Sequence, residues 1–367
     1  MRINKLIFVL LISCLLLSCK EKNEANSELN LYMRSKQFGV NPVSATTFYQ
    51  TRIVRQIFEG LYDYDYLKEP YQVAPLLADG FPEVSKDKLS YLIKIKKGIK
   101  FSDDPCFIGG KGKQVTASDV IYSLKHFVTY PPYNRAYFVY YIKGLMEYRT
   151  KAQEFFKNGG DLNHFIENND VDGLELVDDQ TIRISLRQVC PYFLETLTAP
   201  GASIISKEAV SYYGKDIDWH PVGTGPYILS SWGDGEKIVL LKNPDYRRSY
   251  YPDEGPSHAY EQGLLDDAGK RIPFVDKITI HFVKSDIDRK KLFDSGSIDI
   301  YTPEEDYFYE YFSQNSELTD KYKKKGVKSY IDSNVEFTGI MFNFNNPLIG
   351  KNQNLRKALA LAYDNDK

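Results

Sequence analysis

Three short segments in which apolar and polar residues alternate set the strongest limit on how this chain folds. They are SYLIKIKKG (90–98), TIRISL (181–186) and KITIHF (277–282). Side chains of a strand point alternately to its two faces, so each segment has one apolar face and predicts a strand that lies on a core. These faces consist of Tyr91, Ile93 and Ile95, then Ile182, Ile184 and Leu186, then Ile278, Ile280 and Phe282.

Helical spacing of apolar residues appears between these strands. The segment TRIVRQIFEGL (51–61) has one apolar stripe, and its Gly60 stands where a C-terminal cap is expected. TASDVIYSLKHF (116–127) opens with Thr116 and Asp119 in a pattern close to a capping box. The irregular mixture of helices and strands predicts an α/β (mixed α+β) protein, and 367 residues suffice for two or three domains.

Two glycines in PVGTGPYILSSWGDGEKIVLLKNPDYRR (221–248) raise the question of a phosphate-binding loop. Such a loop needs a strand, glycine amides that face the anion, and then a helix. Here Pro226 removes an amide, and the following residues read as strand, Gly-Asp-Gly turn and strand. We therefore interpret Gly223 and Gly225 as turn residues.

Charge and motif content exclude several classes of function. The formal net charge of −2 gives no electrostatic basis for binding nucleic acid. The five histidines show no zinc-protease spacing and no pairing with a cysteine, and we expect them at the surface or half-buried. We expect no cofactor, no metal and no catalytic residue.

The N-terminus has the pattern of a secretory signal. Two basic residues precede an uncharged run, 6–17, that is shorter than the roughly 20 residues of a spanning helix, so a signal peptide is predicted over residues 1–18. The run ends in LLLSC, which resembles a bacterial lipobox and predicts lipidation of Cys19; LISC, ending at Cys14, is an alternative. Cleavage before Cys19 would leave a polar, flexible linker over residues 19–28. An ordinary signal peptide with an incidental cysteine also fits.

The remaining cysteines are Cys106 and Cys190. A disulfide between them is allowed in an oxidising compartment. Two separate buried thiols fit the sequence equally well, because the sequence does not give the distance between them.

Four stretches together resemble the extracytoplasmic solute-binding proteins of family 5, the oligopeptide, dipeptide and nickel receptors of ABC importers. The stretches are RQIFEGLYDYD, then PLLADGFPEVSKDKLSYLIKIKKGIKFSDD with VTASDVIYSLKHF, then the glycine-containing stretch 221–248, and finally FNFNNPLIGKNQNLRKALALAYDND. Two departures are Asp104 in place of the usual glycine and the inserted PCFIGGKGKQ after it.

The resemblance implies a periplasmic-binding-protein-like fold of two lobes (class II, cluster C) that enclose the ligand. Lobe I would comprise residues 29–60 and 175–275, with an inserted subdomain at 61–174. Residues 276–367 would form the hinge and the start of lobe II. Family members continue beyond this point, so the resemblance implies a C-terminally truncated chain with an incomplete second lobe.

The resemblance also implies a ligand site. In peptide-binding members, an extended ligand adds a strand beside the stretch before the FEGL helix. That stretch corresponds here to Thr46, Thr47 and Phe48, and Tyr133 in PPYNRAY matches a pocket tyrosine. By residue type alone, Phe48 and Tyr133 are equally well read as core aromatics.

The function that follows is capture of peptides by a lipid-anchored, monomeric receptor in the periplasm or at the cell surface. The receptor would present them to the permease subunits of an ABC importer and catalyse no reaction. Alternatives are a receptor for nickel chelates or another small solute, and a non-transporting lipoprotein of signalling or adhesion. A secreted hydrolase is disfavoured, because we find no nucleophile with a base.

Overall fold

The computed structural model describes residues 27–36, 39–45, 47–129, 137–232, 236–247, 249–330 and 341–362, without the side chains of residues 137, 139 and 162. The chain divides into two compact units, Met1–Thr302 and Pro303–Lys367. Each unit is described by itself.

The described strands all lie in the first unit and form two four-stranded and two two-stranded sheets. Their bounds are β1 Glu28–Met33, β2 Tyr62–Tyr64, β3 Val73–Pro75, β4 Glu83–Val84, β5 Ser90–Lys94, β6 Leu174–Asp178, β7 Thr181–Ser185, β8 Tyr227–Ser231, β9 Lys237–Lys242, β10 Ser249–Tyr250, β11 Arg271–Ile272 and β12 Lys277–Phe282.

The described helices occur in both units. In the first unit they are α1 Phe48–Ile57, α2 Ala117–Thr129, α3 Leu145–Lys157, α4 Leu162–Asn168, α5 Phe193–Thr196, α6 Lys207–Tyr213, α7 Ser257–Glu261 and α8 Asp286–Asp294. In the second unit they are α9 Glu305–Tyr311, α10 Asp320–Lys323, α11 Pro347–Lys351 and α12 Gln353–Ala362. Short 3-10 helices occupy Ile108–Gly110, Tyr137–Tyr140, Pro200–Ala202 and Gly214–Trp219.

The first sheet has the strand order β1-β12-β9-β8 and contains the predicted strand KITIHF. β12 pairs in parallel with β1 and antiparallel with β9. Ile278 and Ile280 are buried as the alternation predicts, whereas Phe282 is only partly buried. The prediction of this strand is confirmed.

The second sheet has the order β4-β5-β7-β6 and joins the other two predicted strands. In the register of β5 and β7, Tyr91 lies opposite Ile184 and Ile93 opposite Ile182. All four side chains are buried. Paired apolar faces of this kind stabilise an antiparallel sheet on a core, so both strands are confirmed.

Helix α2 follows its predicted pattern. Asp119 stabilises the start of the helix, because its carboxylate accepts hydrogen bonds from the main-chain N (2.9 Å) and the hydroxyl (3.0 Å) of Thr116. His126 on this helix corrects our expectation that the histidines are at the surface or half-buried. It is fully buried, its ring stacks on Tyr122, and burial lowers its pKa to about 4. It is a neutral core residue.

Helix α1 ends earlier than the sequence predicts. Its last residue is Ile57, and Phe58 already has an extended backbone with φ −116°. Gly60 is therefore not a helix cap. A Cβ on Gly60 would lie 3.2 Å from the main-chain oxygen of Leu197, so this glycine allows two chain segments to approach closely.

The two large sheets cut across the boundaries that we predict for the lobes. Strand β7, which lies beyond the predicted boundary at 174, pairs with β5 of the predicted inserted subdomain. Strand β12 lies beyond the predicted boundary at 275, yet it is an inner strand of the first sheet. The compact unit continues to Thr302. The assignment of lobes stays a prediction.

Candidate functional site

The segment that leads into α1 is held against Asp218 of the 3-10 helix Gly214–Trp219. The side-chain amide of Asn41 donates to Asp218 Oδ1 (2.8 Å), and Val40 N donates to the main-chain oxygen of Asp218. Gly39 has a φ of +81°, and a Cβ on it would lie 2.6 Å from the Cβ of Asp218. The chain therefore approaches α1 along a fixed path that a larger residue at position 39 would disturb.

Thr47 is the N-cap of α1. Its hydroxyl accepts a hydrogen bond from Gln50 N (3.2 Å), and its own main-chain N donates to Gln50 Oε1 (3.3 Å). The pair is a complete capping box, which satisfies two donors at the start of the helix. The structure thus gives Thr47 a role in the helix, while its predicted contact with ligand stays a prediction.

We expect the substitution Thr47→Ala to lower the free energy of unfolding by about 1 kcal/mol, because it leaves a helix N-terminal amide without its acceptor. Urea denaturation followed by circular dichroism measures the change. Thr150→Ala is the control: Thr150 is an exposed residue of α3 whose hydroxyl donates to the Met146 carbonyl, and we expect a change below about 0.5 kcal/mol. Equal stability losses in both variants would contradict the capping role.

Phe48 is an exposed aromatic residue at the first position of α1. Its side chain is 67% exposed. The centroids of the Phe48 and Tyr49 rings are 5.9 Å apart in an edge-to-face arrangement, and the guanidinium of Arg52 lies 4.5 Å from the Phe48 ring centroid. The interpretation of Phe48 as a core residue is therefore wrong. An exposed ring on a fixed helix end offers apolar surface to a binding partner.

Several predicted site residues fall outside the described residues. They are Thr46 and Tyr133 of the ligand site, and Cys19 together with its alternative Cys14 at the lipobox. The predicted linker 19–28 is described only from residue 27, and Glu28 already belongs to β1.

Cys106 and Cys190 are both free thiols. Cys106 lies two residues after Asp104, whose carboxylate accepts a hydrogen bond from Cys106 N (2.9 Å). Cys190 is buried near Tyr141. The disulfide alternative is thus corrected: the two cysteines lie in different surroundings and are not bonded. Burial raises the pKa of each thiol, which makes both poor nucleophiles.

The glycine pair 223 and 225 packs against the end of α1. A Cβ on Gly223 would lie 2.0 Å from Ile57 O, and one on Gly225 would lie 2.6 Å from Gln56 O. Gly225 N donates to Ile57 O (2.8 Å), so this amide is already used within the chain. β8 and β9 then follow as predicted. The glycines serve close backbone packing, and the geometry gives no cradle for a phosphate.

Sequence reasoning missed Glu59, the residue at the centre of a buried polar network. Its carboxylate accepts from Arg247 Nη1 (2.6 Å), from the Thr224 hydroxyl (2.9 Å) and from the Tyr246 hydroxyl (3.1 Å). Glu59 is only 5% exposed. The network ties the end of α1 to the glycine turn and to the segment after β9. Its members lie in two of the family-like stretches, RQIFEGLYDYD and 221–248, which is the signal that could have found them.

The described surface also has a cleft of about 820 Å³ between the end of β5 with the segment after it (94–99) and the β6–β7 turn. Three of the four cations that line it have partners within the chain: Lys94 pairs with Glu83, Arg247 pairs with Glu59, and Lys96 Nζ donates to Leu76 O (2.8 Å). Burial, and then the charge of Arg247, lower the pKa of Lys96. We therefore do not assign the ligand site to this cleft.

Within the described ranges, no helix combines the length and apolar character that a membrane crossing needs. No group of three or more His, Cys, Asp or Glu side chains in that part of the chain is arranged to hold a metal ion.

Comparison with known proteins finds similarity over most of the chain. The family model of the bacterial extracellular solute-binding proteins, family 5 Middle, matches residues 72–367. The glutathione-binding protein GsiB of Salmonella choleraesuis (strain SC-B67) is 28% identical over 213 residues, which are 58% of this chain and 34% of GsiB. The chain thus aligns with about a third of the length of such curated relatives.

Two solved structures show the likeness in fold. OppA of Listeria monocytogenes, bound to peptide, has a TM-score of 0.54 and 21% identity, over 75% of this chain and 46% of OppA. MoaA of A. tumefaciens R10, in complex with mannopinic acid, has a TM-score of 0.53 and 24% identity, over 75% of this chain and 44% of MoaA. These similarities confirm the predicted mixed α/β fold of the two-lobe, periplasmic-binding-protein type.

Proposed function

Because this chain belongs to the bacterial extracellular solute-binding proteins of family 5, we propose that it captures peptides outside the cytoplasm for import by an ABC transporter. The family match over residues 72–367 carries this proposal. The fold likeness to peptide-bound OppA supports it.

The proposed binding surface is the start of α1 with the segment that precedes it. The segment is anchored through Asn41 and Asp218, and the helix begins with the capped Thr47 and the exposed Phe48. A peptide that lies here in an extended form would bond through main-chain groups, so binding would tolerate many sequences. Thr46 and Tyr133 belong to this proposal as further contacts.

Capture requires the ligand to prefer one conformation of the receptor. A ligand shifts an equilibrium between open and closed forms only by its difference in affinity for the two. A ligand held between two lobes gains contacts only on closure, and the closed form would then be the one that a permease recognises. No bond of the ligand is broken in this scheme, so no catalytic residue is needed.

The proposal includes attachment to the membrane by a lipid on Cys19. A single acyl chain binds membranes only weakly, so a stable anchor needs more than one hydrophobic chain. Mass spectrometry of the mature protein tests the site: lipid on an N-terminal Cys19 supports the assignment, and lipid on Cys14 or an unmodified N-terminus contradicts it.

We expect Phe48→Ala to weaken peptide binding about tenfold, since loss of an aromatic contact at a binding surface costs roughly 1–2 kcal/mol. Isothermal titration calorimetry of the purified protein against a library of short peptides provides the measurement. Tyr260→Ala, which removes a ring that is 60% exposed on α7, is the matched control and is expected to leave affinity unchanged. Equal affinities of the wild type and the Phe48 variant would rule out this surface.

A second candidate is a receptor for a small solute other than a peptide. The likeness to MoaA, which was crystallised with mannopinic acid, favours this alternative. Titration with non-peptide solutes and with nickel chelates separates the two: heat from one of these and none from any peptide would replace the peptide proposal.

A further inference from the structure

Arg52 lies one helical turn after Phe48, and the two side chains form a cation–π pair on the surface of α1. Residues four apart on a helix share one face, and the Arg52 guanidinium is 4.5 Å from the Phe48 ring centroid. Arg52 and Phe48 are both exposed. Attraction to the aromatic face favours a guanidinium position over the ring, and the N–H donors that do not face the ring can bond to a ligand.

The other arginine of α1 is used differently. Arg55 Nη1 bonds to Asp63 Oδ1 (2.8 Å), and its Nη2 bonds to the Thr198 main-chain oxygen (3.2 Å). Among the residues that the structure describes, no carboxylate pairs with Arg52. The helix FYQTRIVRQI contains no acidic residue at all, so nothing on α1 itself offsets the charge of Arg52.

These observations specify a ligand chemistry. We propose that Arg52, held on Phe48, selects ligands that carry a carboxylate, which the guanidinium would bind through two parallel N–H donors. This inference rests on the proposed function, because it places the ligand at the start of α1. The carboxylate is either an acidic side chain of a peptide or its C-terminus.

The test compares two sets of peptides by isothermal titration calorimetry with the purified protein. In the first set, alanine tetrapeptides carry a single Glu or Gln at each position in turn. In the second set, each peptide has a free or an amidated C-terminus. The proteins are the wild type, Arg52→Gln, Arg52→Lys and Arg55→Gln. Arg55→Gln removes the same charge from the same helix and serves as the control.

We expect the wild type to bind one Glu peptide about tenfold more tightly than its Gln partner, or one free acid about tenfold more tightly than its amide. The first result identifies a side-chain carboxylate and the second identifies the C-terminus. In Arg52→Gln this ratio is expected to fall to about one, because the affinity for the carboxylate member of each pair falls to that of its neutral partner. Arg52→Lys keeps part of the ratio, because it retains charge but loses the planar fork. Arg55→Gln keeps all of it.

Two results would overturn the inference alone: neutral and acidic peptides that bind equally to the wild type, or a preference for the carboxylate that survives in Arg52→Gln. If no peptide of either set binds to any of the proteins, the proposed function fails and the inference fails with it.

Discussion

Alanine at position 223 is expected to lower the free energy of unfolding by about 3 kcal/mol, at the upper end of the range for overpacked interiors. The new Cβ would lie 2.0 Å from Ile57 O and 2.8 Å from Ile57 C. These are backbone atoms of α1, so they cannot move aside as a flexible side chain would. Gly225→Ala is expected to have a similar but smaller effect, because its closest approach is 2.6 Å, to Gln56 O.

Thermal and urea denaturation measure this loss, and Gly98→Ala is the control. Gly98 has a φ of +78° but no atom within 4 Å of an added Cβ, so alanine there costs only the backbone strain of roughly 1–2 kcal/mol. Peptide affinity of the folded fraction of Gly223→Ala should match that of the wild type. A large loss of affinity with an unchanged melting curve would mean that the glycine contacts ligand and is not a packing residue.

Replacement of Glu59 by glutamine is expected to destabilise the protein by about 3–5 kcal/mol, the cost of breaking a buried ion pair from one side. The side chain of Arg247 is 19% exposed and that of Glu59 is 5% exposed, so the arginine would keep a poorly hydrated charge without its counter-ion. In the wild type the hydroxyls of Thr224 and Tyr246 donate to the Glu59 carboxylate. The glutamine NH2 group is a donor, so it would face these donors without an acceptor.

Urea denaturation measures the free energy of unfolding of Glu59→Gln, which is compared with that of Glu83→Gln. Glu83 forms an exposed pair with Lys94 at 3.2 Å, and such pairs contribute less than about 1 kcal/mol. The double variant Glu59→Gln with Arg247→Met should recover part of the loss, since it removes the stranded charge. If Glu59→Gln and Glu83→Gln lose the same small stability, the buried network does not stabilise the fold.

The candidate site was only partly accessible to sequence reasoning. The family-like stretches led to Thr47 and Phe48. Residue type alone did not decide whether Phe48 is a core residue or a ligand contact. Its 67% exposure removes the core role. The sequence does not distinguish Arg52 from Arg55, because an arginine within a helix is usually solvated. In the structure, Arg52 lies over the Phe48 ring, whereas Arg55 bonds to Asp63.

The amino-acid sequence by itself determined the local elements of this protein. Alternation of apolar and polar residues determined β5, β7 and β12, and the helical spacing of apolar residues determined α1 and α2. Both periods arise because the apolar residues of an element lie on the face that water does not reach. The four family-like stretches likewise led to the correct family.

Only the tertiary structure decided how distant segments meet. The parallel pairing of β1 with β12 joins residues such as Asn30 and Thr279, and the Glu59 network joins α1 to Thr224 and Arg247. The end of α1 at Ile57 also depends on its neighbours, since Gly225 N bonds to Ile57 O there. Backbone hydrogen bonds and buried charges choose their partners by distance in space, and no local pattern of residues encodes that distance.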